Sequence, residues 1–461
     1  MKTNKFSILA GIVTVVALLH SCRKAELLSE SDWNEWLSGG KQTLFDESAR
    51  AFSSMFPDMS PANQSIHGMG DKAFSATHVS APAPINPGLG PIFNNVSCSS
   101  CHIADGRGRP PLNASEPISA MLIRLSIPGV GAHGEPLNVP GFGTQLQQRA
   151  ITGSVKEADV LVTYTNQNYS FPDGETYSLR SPHFQLTNPY MALPSNVMIS
   201  PRMAPPVFGL GLLEAVDEST ILTYADENDA NGDGISGKPN YVWDVLSNST
   251  QLGRFGWKAN NPTILQQSAG AYNEDMGITN YVFPTESSHG QIQYDNRNDD
   301  PELPDSVLRS VSFYVQTLAV PVRRNASDPE VLHGKELFTK ASCASCHRPS
   351  MVTGVHVELP EVSNTRIFPY TDLLLHDMGE GLADHRPDFE ADGREWRTPP
   401  LWGIGLTQKV NGHNFFLHDG RARSLEEAIL WHGGEAENSV QYYKNLSKSD
   451  RQAILKFLQS L

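Results

Sequence analysis

A Cys-x-x-Cys-His motif occurs twice in this chain, first within "VSCSSCHIAD" and again within "ASCASCHRPS". Its residues are Cys98, Cys101 and His102 in the first copy and Cys343, Cys346 and His347 in the second. Attachment of haem c uses every one of them, because the two thiols add to the haem vinyl groups and the adjacent imidazole binds the iron. We therefore predict two covalently bound haems, with His102 and His347 as proximal iron ligands.

Two other interpretations of these cysteines fit less well. A zinc site would pool four thiolates and leave the histidine of each motif without a role. A thioredoxin-like redox site needs a βαβ context, which neither flanking segment offers. The chain has five cysteines, and if Cys22 is modified as described below, the two motifs use the other four. No thiol is then free for thiol chemistry.

The first 22 residues have the pattern of a bacterial lipoprotein signal. Two lysines precede an apolar run from Phe6 to Leu19, which is too short to span a membrane and suits a signal peptide. The run ends in "LLHSC", which makes Cys22 the expected site of lipid attachment. We expect a signal peptide at 1–21 and an exported protein, anchored by lipid in the outer membrane and facing the periplasm. The alternative is a secreted chain whose signal contains an incidental cysteine.

Composition excludes one class of function and sets the scale of the fold. A chain of 461 residues is long enough for two or more domains. The formal net charge of −15, without a cluster of Lys and Arg, argues against nucleic-acid binding, which needs positive charge against phosphate. A hydrophobic fraction of 39% together with 37 Gly and 32 Pro is typical of a globular protein with long loops.

Three segments with helical periodicity would hold the motifs. The first, "DSVLRSVSFYVQTLAVP", stops at Pro321; the second, "VLHGKELFTK", leads into the second motif; the third is the terminal "SKSDRQAILKFLQSL". This pattern predicts a mainly α fold with long loops and two cytochrome-c-like haem domains, at 22–321 and 322–461. The first domain would be enlarged by insertions between Pro110 and Asp305, where Gly, Pro, Asn and polar turns are frequent.

Five segments of the chain are distinctive enough to compare with known families. They are "NPGLGPIFNNVSCSSCHIADGRGRPP", "GRFGWKANNPTILQQSAGAYNEDMGIT", "YTDLLLHDMGEGLAD" and the pair "WRTPPLWGIG" and "FLHDGRARSLEEAILWHGGEA". Together they resemble the di-haem oxidoreductases, a family also labelled thiol oxidoreductases, over nearly all of the chain after the signal. More distantly, the haem motifs and a few segments resemble the bacterial di-haem cytochrome c peroxidases and the methylamine-utilisation di-haem enzyme.

The resemblance implies an axial partner for the second haem. The peroxidases place a Met, and the methylamine enzyme a Tyr, after a "TPxL" and "HxG" stretch that matches "TPPLWGIG" and "FLHDGRARSLEEAILWHGG" here. His432 falls at that position, so the second haem is expected to have two histidine ligands. In this segment Ser424 has the place of a helix N-cap and Glu427 that of its capping-box partner. Met378 and His418 are competing ligands, and His432 could instead interact with a helix C-terminus.

The first haem would be the reactive one, with an open iron position and an acid/base group nearby. The related enzymes use a Glu there, and the matching segment "GWKANNPTILQQSAGA" places Gln266 at that position. Gln forms hydrogen bonds but does not exchange a proton near neutral pH. Glu214 is an alternative distal carboxylate, or else a helix-surface or capping residue. Trp257 lies near the position of an inter-haem Trp in the relatives, where it would relay electrons or pack in the core.

One loop has part of a calcium-binding pattern. In "DANGDGISGKPN", Asp229, Asn231 and Asp233 occupy alternate positions, but Asn240 stands where an EF-hand has its bidentate Glu. Related enzymes bind calcium between their domains, so the resemblance implies a calcium site here; the alternative is a loop of Asx turns.

Four other side chains are candidates either for contact with haem propionates or for solvated surface charge: His376, Asp377, Arg421 and Arg423.

Two classes of function follow. In the first, the chain is an exported di-haem c-type oxidoreductase of peroxidase type, whose N-terminal haem reacts with peroxide and whose C-terminal haem transfers electrons. In the second, it is a non-catalytic di-haem electron carrier with both irons six-coordinate. The enlarged first half favours the enzyme, because a carrier needs little more than two small haem modules, whereas Gln266 favours the carrier. The sequence does not identify the electron donor or partner protein, and the relatives imply a homodimer.

Overall fold

The structure is a computed structural model that describes residues 35–461, so the predicted signal peptide and Cys22 lie outside the described residues. The α-helices that lie wholly within this range are α1 (Pro61–Ser75), α2 (Leu210–Glu214), α3 (Glu218–Leu222), α4 (Ile264–Met276), α5 (Asp305–Gln316), α6 (Pro329–Lys340), α7 (Thr407–Asn411), α8 (Leu425–Trp431), α9 (Glu437–Asn445) and α10 (Lys448–Ser460). Among the described residues, no helix is both long and apolar enough to cross a bilayer.

The strands are short apart from three in the first half of the chain. They are β1 (Thr43–Leu44), β2 (Ile92–Phe93), β3 (Met121–Val130), β4 (Pro136–Leu137), β5 (Arg149–Ala150), β6 (Asp159–Ser170), β7 (Thr176–Thr187), β8 (Met198–Met203), β9 (Tyr241–Asp244), β10 (Ser249–Leu252), β11 (Val320–Pro321), β12 (Met351–Val352), β13 (Arg366–Ile367), β14 (Leu375–Asp377) and β15 (Glu395–Arg397). Single 3₁₀ turns form both motifs, at Cys98–Ser100 and Cys343–Ser345.

The prediction of a mainly α fold built from two cytochrome-c-like domains is wrong. The chain is 29% helix and 19% strand, and the strands form many small sheets. The largest are the β6–β7 hairpin and the sheet with the order β4-β3-β8, both within the segment expected to be inserted loops. In β3, the buried side chains of Met121, Ile123 and Leu125 alternate with less buried ones, as in a strand that covers a core with one face.

The three predicted helices are confirmed as α5, α6 and α10. At Gly334, α6 crosses α10 so closely that a Cβ atom would lie 1.9 Å from the Ala453 carbonyl oxygen. At Gly70, α1 crosses α5, and a Cβ atom would lie 2.0 Å from the Ser310 carbonyl oxygen. Both crossings therefore require glycine. They hold α6 against α10 and α1 against α5.

The largest hydrophobic core joins residues from both predicted domains. It contains Leu308 and Tyr314 from the first half, and Trp402 and Leu406 from the second. A second core packs α6 against α10, and a third lies under the sheet of β3 and β8. The domain boundary at Pro321 stays a prediction.

The β6–β7 hairpin extends from the first half of the chain to the C-terminal helices. Its strands pair from Asp159 opposite Thr187 to Ser170 opposite Thr176. The turn that joins the strands contains Gly174 at φ 89°, a left-handed conformation that favours glycine. Phe171, at the same turn, is buried in the core of the C-terminal helices. The hairpin therefore connects the two halves of the molecule.

Arg451 of α10 holds the hairpin turn. Its Nη2 donates to Asp173 Oδ2 at 2.8 Å and to Glu175 Oε2 at 2.7 Å, and its guanidinium lies 3.8 Å from the centre of the Phe171 ring. We expect Arg451→Met to increase cleavage of this turn in limited proteolysis, because Met keeps an apolar stem but loses both charge-assisted hydrogen bonds. Lys448→Met is the control, since this exposed side chain also pairs with Glu175 and contributes little. Equal cleavage of the two variants would contradict the role of Arg451.

Candidate cofactor cavity

Both Cys-x-x-Cys-His motifs open into one continuous cavity, which all six motif residues line. In each motif the histidine N–H donates to the carbonyl of the first cysteine at 3.0 Å, so the two 3₁₀ turns present their side chains alike. The four motif cysteines form no disulfide. Desolvation raises the pKa of Cys98, Cys101 and Cys343 to about 12. These thiols stay protonated near neutral pH, which does not favour thiolate redox chemistry.

The two motif histidines are oriented in the same way. His102 Nδ1 lies 2.7 Å from the Pro205 carbonyl oxygen, and His347 Nδ1 lies 3.0 Å from the Tyr370 carbonyl oxygen. Because a carbonyl can only accept, each Nδ1 carries the proton and each Nε2 is left for a metal. Desolvation lowers the pKa of both imidazoles to about 4, so they are neutral at neutral pH, as metal ligation requires.

His432 faces the same cavity from the end of α8. The predicted N-cap of this helix is confirmed, since Ser424 Oγ accepts from Glu427 N at 3.1 Å. His432 Nδ1 donates to the Ala428 carbonyl oxygen at 2.6 Å, which again leaves Nε2 free. Burial lowers the pKa of His432, and His432 in turn helps to lower the pKa of His347. The two imidazoles therefore lie close enough to interact across the cavity.

The two competing ligands also line the cavity. Met378 packs against a cluster that contains Trp257 and Trp396. His418 stacks on Trp396 with ring centres 3.8 Å apart and an angle of 12° between the planes. The structure thus brings all three candidate axial ligands to the cavity, and only His432 has a ring nitrogen fixed by a helix carbonyl four residues before it.

Gln266 and Glu214, the predicted distal residues, do not line the cavity. The Gln266 amide donates to the Trp243 carbonyl oxygen at 3.0 Å and accepts from the backbone of Val245 at 2.8 Å, so it points towards β9. Glu214 accepts from the backbone N–H of Ile264 at 2.8 Å, at the start of α4. The other carboxylate oxygen of Glu214, Oε2, accepts from Gln316 Nε2 at 2.6 Å. Burial raises the pKa of Glu214, but both oxygens are bonded to groups of neighbouring helices.

The α4 residues that line the cavity are Ile264, Gln267, Ser268, Ala271, Asp275 and Met276. Their spacing of three, four or one residues places them on one face of the helix. Gln267 Oε1 accepts from Asn261 Nδ2 at 2.9 Å, which leaves the Gln267 amide nitrogen for another partner. Resemblance to the peroxidases located this helix, but the cavity-facing residue is one position later than predicted.

Trp257 also lines the cavity. Its indole Nε1 donates to the Met203 carbonyl oxygen at 2.7 Å, and the Met203 N–H donates to the His418 carbonyl oxygen at 2.6 Å. The Arg107 guanidinium lies 5.1 Å from the centre of the Trp257 ring. Trp257 is buried in a cluster with Leu382 and Trp396, and its role as an electron relay stays a prediction.

Comparison with known proteins decides the family. A family model described as "Di-haem oxidoreductase, putative peroxidase" matches residues 34–461. The chain belongs to this family. Cytochrome c551 peroxidase from Nitrosomonas europaea is 25% identical over 233 residues, and the match covers 47% of this chain and 64% of the peroxidase. No solved structure matches the chain.

The cavity of this di-haem oxidoreductase fits the cofactor that its family implies. Four guanidinium groups line it, those of Arg107, Arg124, Arg202 and Arg397. Within residues 35–461, neither Arg107 nor Arg397 forms an ion pair with a carboxylate, and Arg107 Nε is buried without a hydrogen-bond partner. Desolvation lowers the pKa of Arg107 and Arg397 to about 10. Haem propionates are anions that would pair with such groups.

The side chains predicted to contact propionates lie elsewhere, with one exception. His376 lines the cavity, between Asp372 and Glu435 at 2.8 and 2.6 Å. Burial opposes the charged form, but the Asp372 carboxylate holds the pKa of His376 well above its ordinary value. Arg421 and Arg423 do not line the cavity. Both pair instead with carboxylates of their own segment, at Asp419 and Glu427 respectively, and Asp377 pairs with Arg394.

The predicted calcium loop is exposed and consists of Asx turns. Asp229 Oδ1 accepts from Gly234 N at 3.1 Å, Asn231 Oδ1 from Asp233 N at 2.8 Å, and Asp233 Oδ1 from the following Ile235 N at 2.9 Å. In the part of the chain that the structure describes, the acidic, His and Cys side chains close enough to hold an ion together are Cys346, Asp372 and His376, which belong to the second motif. Calcium in this di-haem oxidoreductase stays a prediction.

Proposed function

We propose that this di-haem oxidoreductase is a peroxidase that carries two covalently bound haems. The observation that carries the proposal is the shared cavity, into which two identically oriented histidines and both pairs of cysteines open. When bound, haem iron with an open coordination position supplies the redox chemistry of peroxide reduction. The chain itself binds and orients the two groups, and it supplies the dipoles and protons around them.

The two ends of the cavity differ in a way that supports one reactive haem and one electron-transferring haem. At the second motif, His432 lines the same cavity as His347, is close enough to help lower its pKa, and offers a second imidazole. At the first motif, the polar groups on the α4 face are an amide, a hydroxyl and a carboxylate, at Gln267, Ser268 and Asp275, and none of these is a typical haem ligand. Met276 of α4 also lines the cavity, but its side chain is 2% exposed and packs in the largest hydrophobic core. We therefore assign peroxide to the first haem and electron transfer to the second.

Spectra of the ferric protein test this assignment. Electron paramagnetic resonance is expected to show one high-spin and one low-spin haem signal of equal amount, because an iron with one strong protein ligand is high-spin and an iron with two imidazole ligands is low-spin. Two low-spin signals would support the second candidate function, a di-haem electron carrier. One observation favours the carrier. Near the first motif, the α4 side chain that faces the cavity next to the predicted position is the amide of Gln267, where the relatives have a Glu.

The electron donor is a redox protein in this proposal. The matched peroxidase is named for cytochrome c551, so a small c-type cytochrome is the donor that we propose to test first. Export and lipid attachment at Cys22 remain separate predictions, because that segment lies outside the described residues. The same holds for the homodimer that the relatives imply.

A further inference from the structure

Asp275 is the one carboxylate that lines the cavity near the first motif. Among the described residues, the other cavity-lining carboxylate is Glu435, which bonds His376 at the second motif. Asp275 lies at the C-terminal end of α4, on the helix face that also carries Gln267 and Ala271. It is close enough to Cys98 and Cys101 to raise the pKa of both thiols, after the larger effect of desolvation.

The position of Asp275 is fixed by several hydrogen bonds. Gln145 Nε2 donates to Asp275 Oδ1 at 2.7 Å and to the Glu274 carbonyl oxygen at 2.9 Å. The Asp275 carbonyl oxygen accepts from Asn94 N at 2.8 Å and Asn95 N at 3.1 Å, just before the first motif. The backbone bonds hold the end of α4 against the segment that precedes Cys98, and Gln145 holds one carboxylate oxygen, Oδ1. Among the described residues, no hydrogen bond restrains the other oxygen of this cavity-lining side chain.

We propose that Asp275 is the acid/base residue of the first haem site, the group that exchanges a proton with a ligand bound there. The inference rests on the proposed function and assigns to Asp275 the task that the relatives give to a Glu. Gln266 points away from the cavity, and Gln267 is an amide, which donates and accepts hydrogen bonds but does not exchange a proton near neutral pH. A carboxylate does exchange one.

The charged groups around Asp275 suit this task. Desolvation raises its pKa to about 6, while Arg124 and the Gln145 hydrogen bond lower it and Glu274 raises it. Arg124 Nη1 and Glu274 Oε2 lie 3.8 Å apart, and their side chains are 20% and 24% exposed, so this pair connects the buried carboxylate with solvent. Cys98 and Cys101, which also face Asp275, are neutral. A carboxyl that titrates near pH 6 is well matched to acid/base work near neutral pH.

Binding of cyanide to the ferric holoprotein tests the assignment without turnover. Hydrogen cyanide loses its proton as the cyanide anion binds iron, and no electron is transferred. Ionised Asp275 would take up that proton, so the association rate in the wild type is expected to rise as the pH increases through about 6. Asp275→Asn is expected to slow association at pH 7 by about 10²-fold and to abolish this rise, since general acid/base assistance typically contributes 10²–10⁴-fold.

A second variant separates a proton-exchanging role from a structural one. Gln145→Leu removes a hydrogen bond that lowers the pKa of Asp275, so the midpoint of the pH profile should move to higher pH while the profile keeps its shape. Asp275→Glu should retain the rise. Glu157→Gln is the matched control, because Glu157 is buried and accepts from Gln147 N but does not line the cavity. Haem content is measured first for each variant.

The outcomes distinguish this inference from the proposed function. Cyanide binding with the same pH profile in the wild type, Asp275→Asn and Gln145→Leu would overturn the assignment of Asp275 and leave the peroxidase proposal intact. Failure of the wild type to bind cyanide would show that the first iron is closed and would overturn both. If Asp275→Asn does not acquire haem, the shifted midpoint in Gln145→Leu decides, and an unshifted one overturns the inference.

Discussion

Replacement of Cys343 and Cys346 by Ser is expected to reduce the haem content from two covalent haems per chain to one. Thioether bonds form only with the cysteine sulfurs, so a serine pair leaves the second haem without covalent attachment. The two motifs lie on separate supports, the first next to α4 and the second at the end of α6. The first haem is therefore expected to remain. Absorbance of the pyridine haemochrome, measured on denatured protein, gives the number of haems per chain.

The reciprocal variant is the control for this prediction. Cys98→Ser with Cys101→Ser should also leave one haem, and the two single-haem proteins should differ in spin state if the first haem is high-spin and the second low-spin. Retention of two covalent haems in either variant would contradict the assignment of the motifs. Zinc without haem in matured wild-type protein would overturn the haem interpretation as a whole.

Local patterns in the sequence predicted the parts of the site that depend on local structure. Helical periodicity predicted α5, α6 and α10. Ser424 was predicted as the N-cap of the helix that places His432, and the structure confirms it. In each of these cases neighbouring residues in the chain supply the stabilising contacts, so the sequence carries the information within one or two turns.

The strands were missed because their information is spread over longer distances. β6 is rich in Val, Thr and Tyr, and β7 contains Thr, Tyr and Phe, which are residues that favour strands. A single strand, however, gains stability only from its partner. The frequent Gly and Pro residues of this region suggested loops, whereas in the structure some lie in turns between strands, as at Gly174, and others lie within strands, as at Pro128 and Gly129 in β3. The alternation in β3, with Ile123 and Leu125 buried, was the available signal.

The distal residues show how a small error in register changes a site. Successive residues of an α-helix point about 100° apart. Gln266 therefore points towards β9, whereas Gln267, the next residue, lines the cavity. A helical face drawn from Gln267 through Ala271 reaches Asp275, and this spacing could have revealed the carboxylate. The cavity arginines had no such signal, because Arg107 and Arg397 lie far apart in the sequence and reach the same cavity only through the tertiary fold.

His432→Met is expected to raise the potential of one haem by a few tenths of a volt and to leave the other unchanged. Axial ligands set haem potentials over a range of about 0.8 V, and Met ligation raises the potential relative to His. The effect should be large here because the Ala428 carbonyl accepts from His432 Nδ1 at 2.6 Å, which makes the imidazole a stronger donor to ferric iron. Spectroelectrochemical titration measures both potentials in one sample.

Met378→Leu and His418→Phe are the matched controls for this prediction. Met378 and His418 line the same cavity, so their substitution tests whether a nearby change alone moves the potential. His418→Phe keeps an aromatic ring to stack on Trp396, whose ring centre lies 3.8 Å away. A shift in one control with none in His432→Met would transfer the ligand role to the altered residue. A shift confined to His432→Met would leave His347 and His432 as the two ligands of the electron-transferring haem.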